Sequence, residues 1–469
     1  MIRTAGVLLG SNLGIAVVKF ARNILVARLL SVGDFGIAST FAIAFAMVEM
    51  AGFLGLDRLL VQAGDGDDPQ VQATLHTMQV LRGALLALIL LVTAGPLADV
   101  MGVPEVAWGF RLMALVPFLQ GFTHLDMTRV QRVMSFGPFI KVTLGAEVLG
   151  LLAIYPLFLI FGDYRVALFA LLLQQGVMAA LSHVLAGRRY HLGLDRDVLM
   201  RALKFGWPLL FNALLMFGIF QGDRIIVANQ TGAVEFGLFS LAFMLAFMPT
   251  NVLAQTLNRL FLPKLARLQD NLPDFERLAG IAVQAGLVVG LAVAAGFALF
   301  GPDLVLIVFG SKYAGALGLL AWMAVMQAVR IAKLGVSLVA IARAETRNPL
   351  IANIPRVLLL PLAWLALSRG ADMLVVVWIA MLGEMLGLAV AFWLLRHWLN
   401  LPVRGLLQPV LLWAGVLLLV CFDAALHPPR PEVFANFHWM QVAIALAAAG
   451  AVFGMRDLRG WALGALRGA

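Results

Sequence analysis

The sequence predicts an all-α integral membrane protein. It is expected to have fourteen transmembrane helices, arranged as two pseudo-symmetric six-helix lobes plus two C-terminal helices, with both termini cytoplasmic. Three observations lead there. Fourteen apolar stretches cover most of the 469 residues. The lysines and arginines between them fall almost entirely in every second gap. A segment near the N-terminus recurs 201 residues further on.

The stretches are 5–30, 36–60, 76–98, 107–127, 138–161, 164–186, 205–228, 236–258, 280–300, 316–341, 351–368, 372–395, 407–424 and 437–454. Each is near or above the ~20 residues that a helix needs to cross hydrocarbon at about 1.5 Å per residue. Composition agrees: 62% of residues are hydrophobic and 13% charged, against about 25% charged in soluble chains. With the N-terminus inside, the inside segments hold 21 lysines and arginines, and the outside segments hold four: Arg165, Lys312, Arg369 and Arg430. Positive charge is retained on the cytoplasmic side during insertion, which fixes the orientation. The acidic second gap, AGDGDD at 63–68, is the exception.

The net charge of +9 sits on no soluble basic domain, so a nucleic-acid partner is not expected. The single cysteine, Cys421, excludes an intramolecular disulfide. The first stretch carries Lys19 and Arg22 and is too long for a leader's apolar core, so it reads as the first span. Connections are short. Residues 187–204 and 259–279 have room for an amphipathic surface helix, and the apolar 302–309 is too short to cross and is placed at the outer interface. No GxxxxGK[ST] motif occurs.

Sliding the chain by 201 residues lays 24–59 on 225–260 with ten identities in 36 positions. They include Phe35/Phe236, Gly36/Gly237, Ser39/Ser240 and Arg58/Arg259. Spans 1 and 7 both start inside, so the repeat is parallel, an architecture recurrent in transporters. The expected domains are 1–200 (spans 1–6), 201–400 (spans 7–12) and 401–469 (spans 13–14 and a cytoplasmic tail).

The opening LLGSNLGIAVVKFARNILVARLLSVGDFG resembles that of lipid-linked oligosaccharide flippases, polysaccharide transporters of the MATE-related MOP exporter superfamily. So do GLDRLLVQ at 55–62, VQRVMSF at 130–136, the stretch 205–245, RLFLPKLARL at 259–268 and IVFGSKYAGA at 307–316. The resemblance covers the chain to about residue 400. It implies translocation of a polyprenyl-pyrophosphate-linked glycan from the cytoplasmic to the periplasmic leaflet of a bacterial inner membrane. The product would be O-antigen, capsule or exopolysaccharide, and a polysaccharide polymerase or co-polymerase is a candidate partner beside the membrane lipids.

Charges inside spans are costly in lipid and usually face protein or a water-filled cavity. Lys19 and Arg22 lie with Asn12 on one face of span 1, and Arg330 and Lys333 lie with Gln327 and Ser337 on one face of span 10. Arg111 and Arg224 add further cations. Together these six suit a pyrophosphate head group, because guanidinium offers bidentate donors to phosphate oxygens. Arg28, Arg58, Arg82, Lys141 and Arg356 lie near span ends, where snorkelling to the head groups accounts for them. The 201-residue shift carries Arg22 onto Asp223, so the two are expected to form a gating ion pair if spans 1 and 7 face each other.

Glu49, Asp57, Asp126, Glu147 and Glu384 are candidates for proton coupling or for pairing with nearby cations. A coupling H+ or Na+ is the only small co-solute considered, and no other cofactor or metal is expected. The Asp-Gly-Asp at 65–67 reads as a solvated loop, and the seven histidines show no pair at metal spacing. No catalytic triad can be argued, so no enzyme is expected. A MATE-type drug or cation antiporter and a lipid II flippase remain the alternatives. The first would call for twelve spans and a lumen led by acids.

Overall fold

The computed structural model describes residues 2–345, 347–399 and 404–467, without the side chains of 2–9, 12, 404 and 462–467. Every secondary-structure element among them is helical. Contacts divide the chain into two compact units, Met1–Gly237 and Leu238–Ala469.

The first unit holds α1 (Ile2–Leu29), α2 (Val32–Ala51), α3 (Leu56–Gln62), α4 (Pro69–Val100), α5 (Ala107–Leu112), α6 (Leu115–Gly121), α7 (Asp126–Arg129), α8 (Gly137–Phe161), α9 (Arg165–Val184) and α10 (Arg196–Gln230). It also holds the first turn of α11 (Ala233–Arg267). Caps set several starts. Ser31 accepts from the amide of Asp34, and Asp68 accepts from that of Gln70 behind Pro69. Asp195 accepts from the amides of Asp197 and Val198. α1 packs on α8, α8 on α9, α4 on α5 and α6, and α10 on α2 and α4. A small core of Leu56, Leu59, Leu60, Leu75, Met78, Leu125 and Val198 ties α3, α4 and α10 together.

The repeat-related glycines touch. A Cβ on Gly36 would collide with the carbonyl of Ala233, and one on Gly237 would collide with the carbonyl of Val32. The contact is reciprocal: the start of α2 meets the start of α11 through equivalent residues. Sequence equivalence at 36 and 237 is therefore also spatial.

The second unit holds the rest of α11, then α12 (Leu272–Val308), α13 (Leu317–Ala342), α14 (Arg347–Leu358), α15 (Leu360–Ser368), α16 (Met373–Leu399), α17 (Leu407–Leu426), α18 (Trp439–Gly454) and α19 (Arg456–Arg467). Its centre is α13, whose most apolar stretch is 83% buried inside protein. Gly286 and Gly290 of α12, one turn apart, lie against the backbone of Ile331 and Ala328, so the two helices close without side chains between them. Leu278, Leu287, Leu291, Val325, Val336, Val339, Leu395 and Trp413 continue the core to α16 and α17.

Among the described residues, eleven helical stretches are long and apolar enough to cross a membrane, or twelve if Pro104–Gly121 and Asp126–Val133, bent by 53°, form one span. The expected stretches 5–30 and 437–454 fall on α1, part of whose side chains lie outside the described residues, and on α18, which has only 16 residues.

Several expectations are corrected. Stretch 36–60 is two helices, because Gly52 ends α2 and Gly55 adopts φ +61°, a left-handed conformation open to glycine. Stretch 107–127 is likewise interrupted, whereas α14 and α15, parted only at Leu359, together make one span-length stretch, Arg347–Ser368. Residues 302–309 do not lie apart: α12 runs on through Pro302 to Val308. The connections 187–204 and 259–279 carry no separate surface helix, since α10, α11 and α12 extend into them. The tail beyond 455 forms α19, whose Gln284–Asp457 contact (3.0 Å) anchors it to α12.

Candidate functional site

In the second unit, four charged side chains from three helices converge. α13 presents Arg330 and Lys333 on one face, α14 presents Arg356, and α16 presents Glu384. Both Nη2 and Nε of Arg330 lie 3.0 Å from Glu384 Oε1. Lys333 Nζ lies 2.6 Å from Oε2, and Arg356 Nε lies 3.6 Å from Oε1. Gln327 accepts from Arg330 at 3.3 Å, and Asn353 accepts from Lys333 at 2.8 Å. The Glu384 side chain is fully buried, and the three cations are between 1% and 13% exposed. Three cations therefore share this carboxylate.

Small residues make room for this cluster. Gly383 and Gly387 flank Glu384 on α16. A Cβ on Gly383 would press on Arg356, and one on Gly387 would collide with the carbonyl of Ala352 and touch Lys333. The snorkelling expected of Arg356 is corrected. A break at Leu359 separates α14 from α15, so residue 356 sits where α14 crosses α16 and is buried.

A second cluster lies in the first unit. Lys19 Nζ and Arg22 Nη1 of α1 each lie 3.2 Å from the two oxygens of Glu147 on α8. Arg22 also donates to Gln174 of α9. The adjacent Gln175 accepts from Gln120 of α6 at 3.3 Å, and Gln120 in turn donates to Glu49 of α2. Glu147 is buried, Arg22 is 21% exposed and Lys19 is 46% exposed. This cluster is wetter than the first and nearer to charge balance.

The remaining sequence-derived residues are placed as follows. Asp223 is buried on α10, which packs mainly on α2 and α4 within the unit. The carboxylate that Arg22 meets in this structure is thus that of Glu147, because α1 packs on α8. Arg224 takes Gln221 at 2.9 Å. Arg111 is exposed on α5, and Asp57 is exposed on α3. Asp126 pairs with Arg129 at 2.6 Å and accepts from the amide of Gly187 at 2.7 Å. The side chain of Asn12 lies outside the described residues.

The acidic loop at 63–68 is more than solvated. Arg129 and Arg188 bind Asp67 at 2.7 and 3.1 Å, and Arg201 binds Asp65 at 2.8 Å. Arg132 donates to the carbonyls of Leu60, Val61, Ala63 and Gly64. The hydrogen bond from Arg129, aided by Arg188, holds the Asp67 carboxyl below its ordinary value, and that from Arg201 does the same for Asp65. The exception in the charge pattern is thus where basic residues of the neighbouring segments are neutralised, at the same end of the unit.

Two histidine groups were invisible in the sequence. His76, His124, His183 and Tyr190 stack with ring centroids 4.4 to 5.5 Å apart. His76 donates to the carbonyl of His191 and accepts from the amide of Leu125, each at 3.1 Å. His124 donates to the carbonyl of Arg188 and accepts from the amide of Asp126. Both rings have both nitrogens used by backbone and act as neutral fasteners. The second group, Asp423, His427 and His438, is different: one ligand atom from each lies within 4.8 Å of the others. Asp423 and His427 are one helical turn apart, and the fold brings His438 to them.

Span-length helices, two groups of them joined by buried ionic clusters, define a multi-pass membrane protein. The chain belongs to the polysaccharide biosynthesis protein family, whose profile matches residues 25–317. It is similar to the succinoglycan biosynthesis transport protein ExoT of Rhizobium meliloti, with 26% identity over 328 residues, covering 66% of this chain and 63% of that protein. The match to a Klebsiella pneumoniae membrane protein in the cps region likewise spans 63% of that relative's length. The fold is that of the lipid II flippase MurJ in an inward closed conformation (TM-score 0.73, 11% identity, 97% of this chain and 99% of that one). It is also that of a multidrug MATE transporter of the MOP superfamily, inward-facing (TM-score 0.65, 18% identity, 82% of this chain and 94% of that one).

Proposed function

We propose that this protein translocates a polyprenyl-pyrophosphate-linked oligosaccharide from the cytoplasmic to the periplasmic leaflet of a bacterial inner membrane by alternating access, for surface polysaccharide assembly. One observation carries the reading: Arg330, Lys333 and Arg356 surround a single carboxylate, Glu384, on helices of span length. A pyrophosphate group can share these cations with Glu384, because three of them gather around one carboxylate. Guanidinium and ammonium donors suit phosphate oxygens. Membership of the polysaccharide biosynthesis family supports the same cargo class.

The topology that accompanies this reading has fourteen spans, α1 and α18 included, with both termini cytoplasmic and repeat lobes at 1–200 and 201–400. In another conformation, Arg22 exchanges Glu147 for Asp223, which gives the two states different ion pairs. A gradient of H+ or Na+ drives the cycle.

The test is reconstitution into vesicles with a fluorescent lipid-linked oligosaccharide, with head-group exposure read by a membrane-impermeant quencher. Arg330→Gln with Lys333→Gln should slow flipping by about tenfold or more, the size expected for lost charge-assisted contacts. Full activity in that double variant, or transport of a cationic drug in preference to the glycolipid, would overturn the reading.

A further inference from the structure

We propose that Asp423, His427 and His438 form a binding site for a divalent transition-metal ion of the zinc class, which staples the end of α17 to the start of α18. Nothing in the transport reading requires this site, and its test does not depend on transport.

The geometry comes first. His427 Nδ1 lies 3.1 Å from Asp423 Oδ1, and His438 Nε2 lies 3.4 Å from the same oxygen. The three ligand atoms all fall within 4.8 Å of one another. A tetrahedral zinc shell has bonds of about 2.0–2.2 Å, so its ligand atoms stand roughly 3.3 Å apart. The two separations from Asp423 Oδ1, 3.1 and 3.4 Å, match that spacing, and the third lies within 4.8 Å. A fourth position opens to solvent, since His427 is on the exposed side.

Charge points the same way. Asp423 is buried in the last turn of α17, where free carbonyls add negative potential. Its ionic partners among the described residues are the two imidazoles, with no lysine or arginine. A buried carboxylate at that end of a helix needs positive charge, which a divalent ion supplies.

Hydrogen bonding accounts for these rings only in part: His427 Nδ1 bonds Asp423 Oδ1. Both imidazoles aim at one oxygen, and the other nitrogen of His438, Nδ1, is buried without a hydrogen-bond partner. His76 and His124 show the opposite pattern, with every nitrogen engaged by backbone. The ring of His438 is instead presented by an ordered connection. Asn436 bridges the amide and carbonyl of Arg430 at 2.6 and 3.2 Å, and the Phe434 amide donates to Asp303 of α12 at 2.8 Å. A metal at the three ligands would fasten this connection to α17 as well as to α12.

The full chain, purified in detergent with a histidine-free tag, is equilibrated with micromolar Zn2+, passed through gel filtration and assayed for metal. About one zinc per chain is expected for the wild type and under about a fifth of that for His427→Gln with His438→Gln, since two of three ligands are lost. Co2+ should give the visible d–d absorption of a tetrahedral N/O site in the wild type alone. Zn2+, but not Mg2+, should raise the wild-type melting temperature. Absence of bound zinc and of the cobalt spectrum in the wild type would overturn the proposal, as would equal zinc in the double variant. If the double variant does not elute as a monodisperse peak, the cobalt spectrum of the wild type decides alone.

Discussion

Replacing Glu384 by glutamine is the most informative single perturbation of the buried cluster. It removes the carboxylate that Arg330, Lys333 and Arg356 meet at 3.0, 2.6 and 3.6 Å. At an effective dielectric of about 20, each unit-charge attraction over 3–4 Å is on the order of 4–6 kcal/mol before solvation is counted. Repulsion among the three cations and the water they regain offset much of this. Removing one partner of a buried pair costs about 3–5 kcal/mol net, because the other charge is left buried and unpaired. For a unit of this size each kcal/mol moves Tm by about 2–4 °C, so the variant should melt about 6–20 °C lower. The assay is thermal unfolding in detergent followed by size-exclusion recovery. Adding Lys333→Met to Glu384→Gln should recover part of the loss by removing one of the stranded charges. A variant melting within about 2 °C of the wild type would refute the account of Glu384 as the hub of the cluster.

Three further outcomes are expected. Glu147→Gln should destabilise less than Glu384→Gln, by about 1–3 kcal/mol, because Lys19 is 46% exposed and water takes over part of its pairing; the same melting assay compares the two. Gly36→Val should cost about 1–3 kcal/mol or lower the yield of folded protein, since its side chain would enter the backbone of Ala233, whereas Gly64→Val, with nothing near its Cβ position, should not. Asp67 has its carboxyl held below the ordinary 3.8 by Arg129 and Arg188, so its tie to the loop is fully present above that value. The tie is lost as pH falls through the lower folded value. Hydrogen exchange in 63–68, corrected for intrinsic rate, should therefore be flat from about pH 8 to 5 and rise only below about 4, and Asp67→Asn should raise it throughout.

How far the sites were legible differs residue by residue. Lys19/Arg22 and Arg330/Lys333 stood out because a charge in an apolar run is conspicuous, and spacing of three places both members on one helical face. Glu147 and Glu384 were visible as acids within spans. Which cations they meet was not, since Glu384 lies 54 residues from Arg330 and its partner depends on how α13, α14 and α16 pack. Arg356 was misread because hydropathy cannot see the break at Leu359 that turns a span end into a helix crossing. His438 gave no signal, because pairing with Asp423 and His427 crosses an irregular connection.

The chain by itself determined an all-helical protein with many stretches apolar enough to cross a membrane. Hydrocarbon demands some twenty apolar residues whatever surrounds them, so that information is local. Packing decided the rest. Helix breaks at glycine, the closeness that Gly36, Gly237, Gly383 and Gly387 allow, and the partner each buried charge finds all depend on atoms brought together from distant positions. Electrostatic energy falls with distance in space, not along the chain.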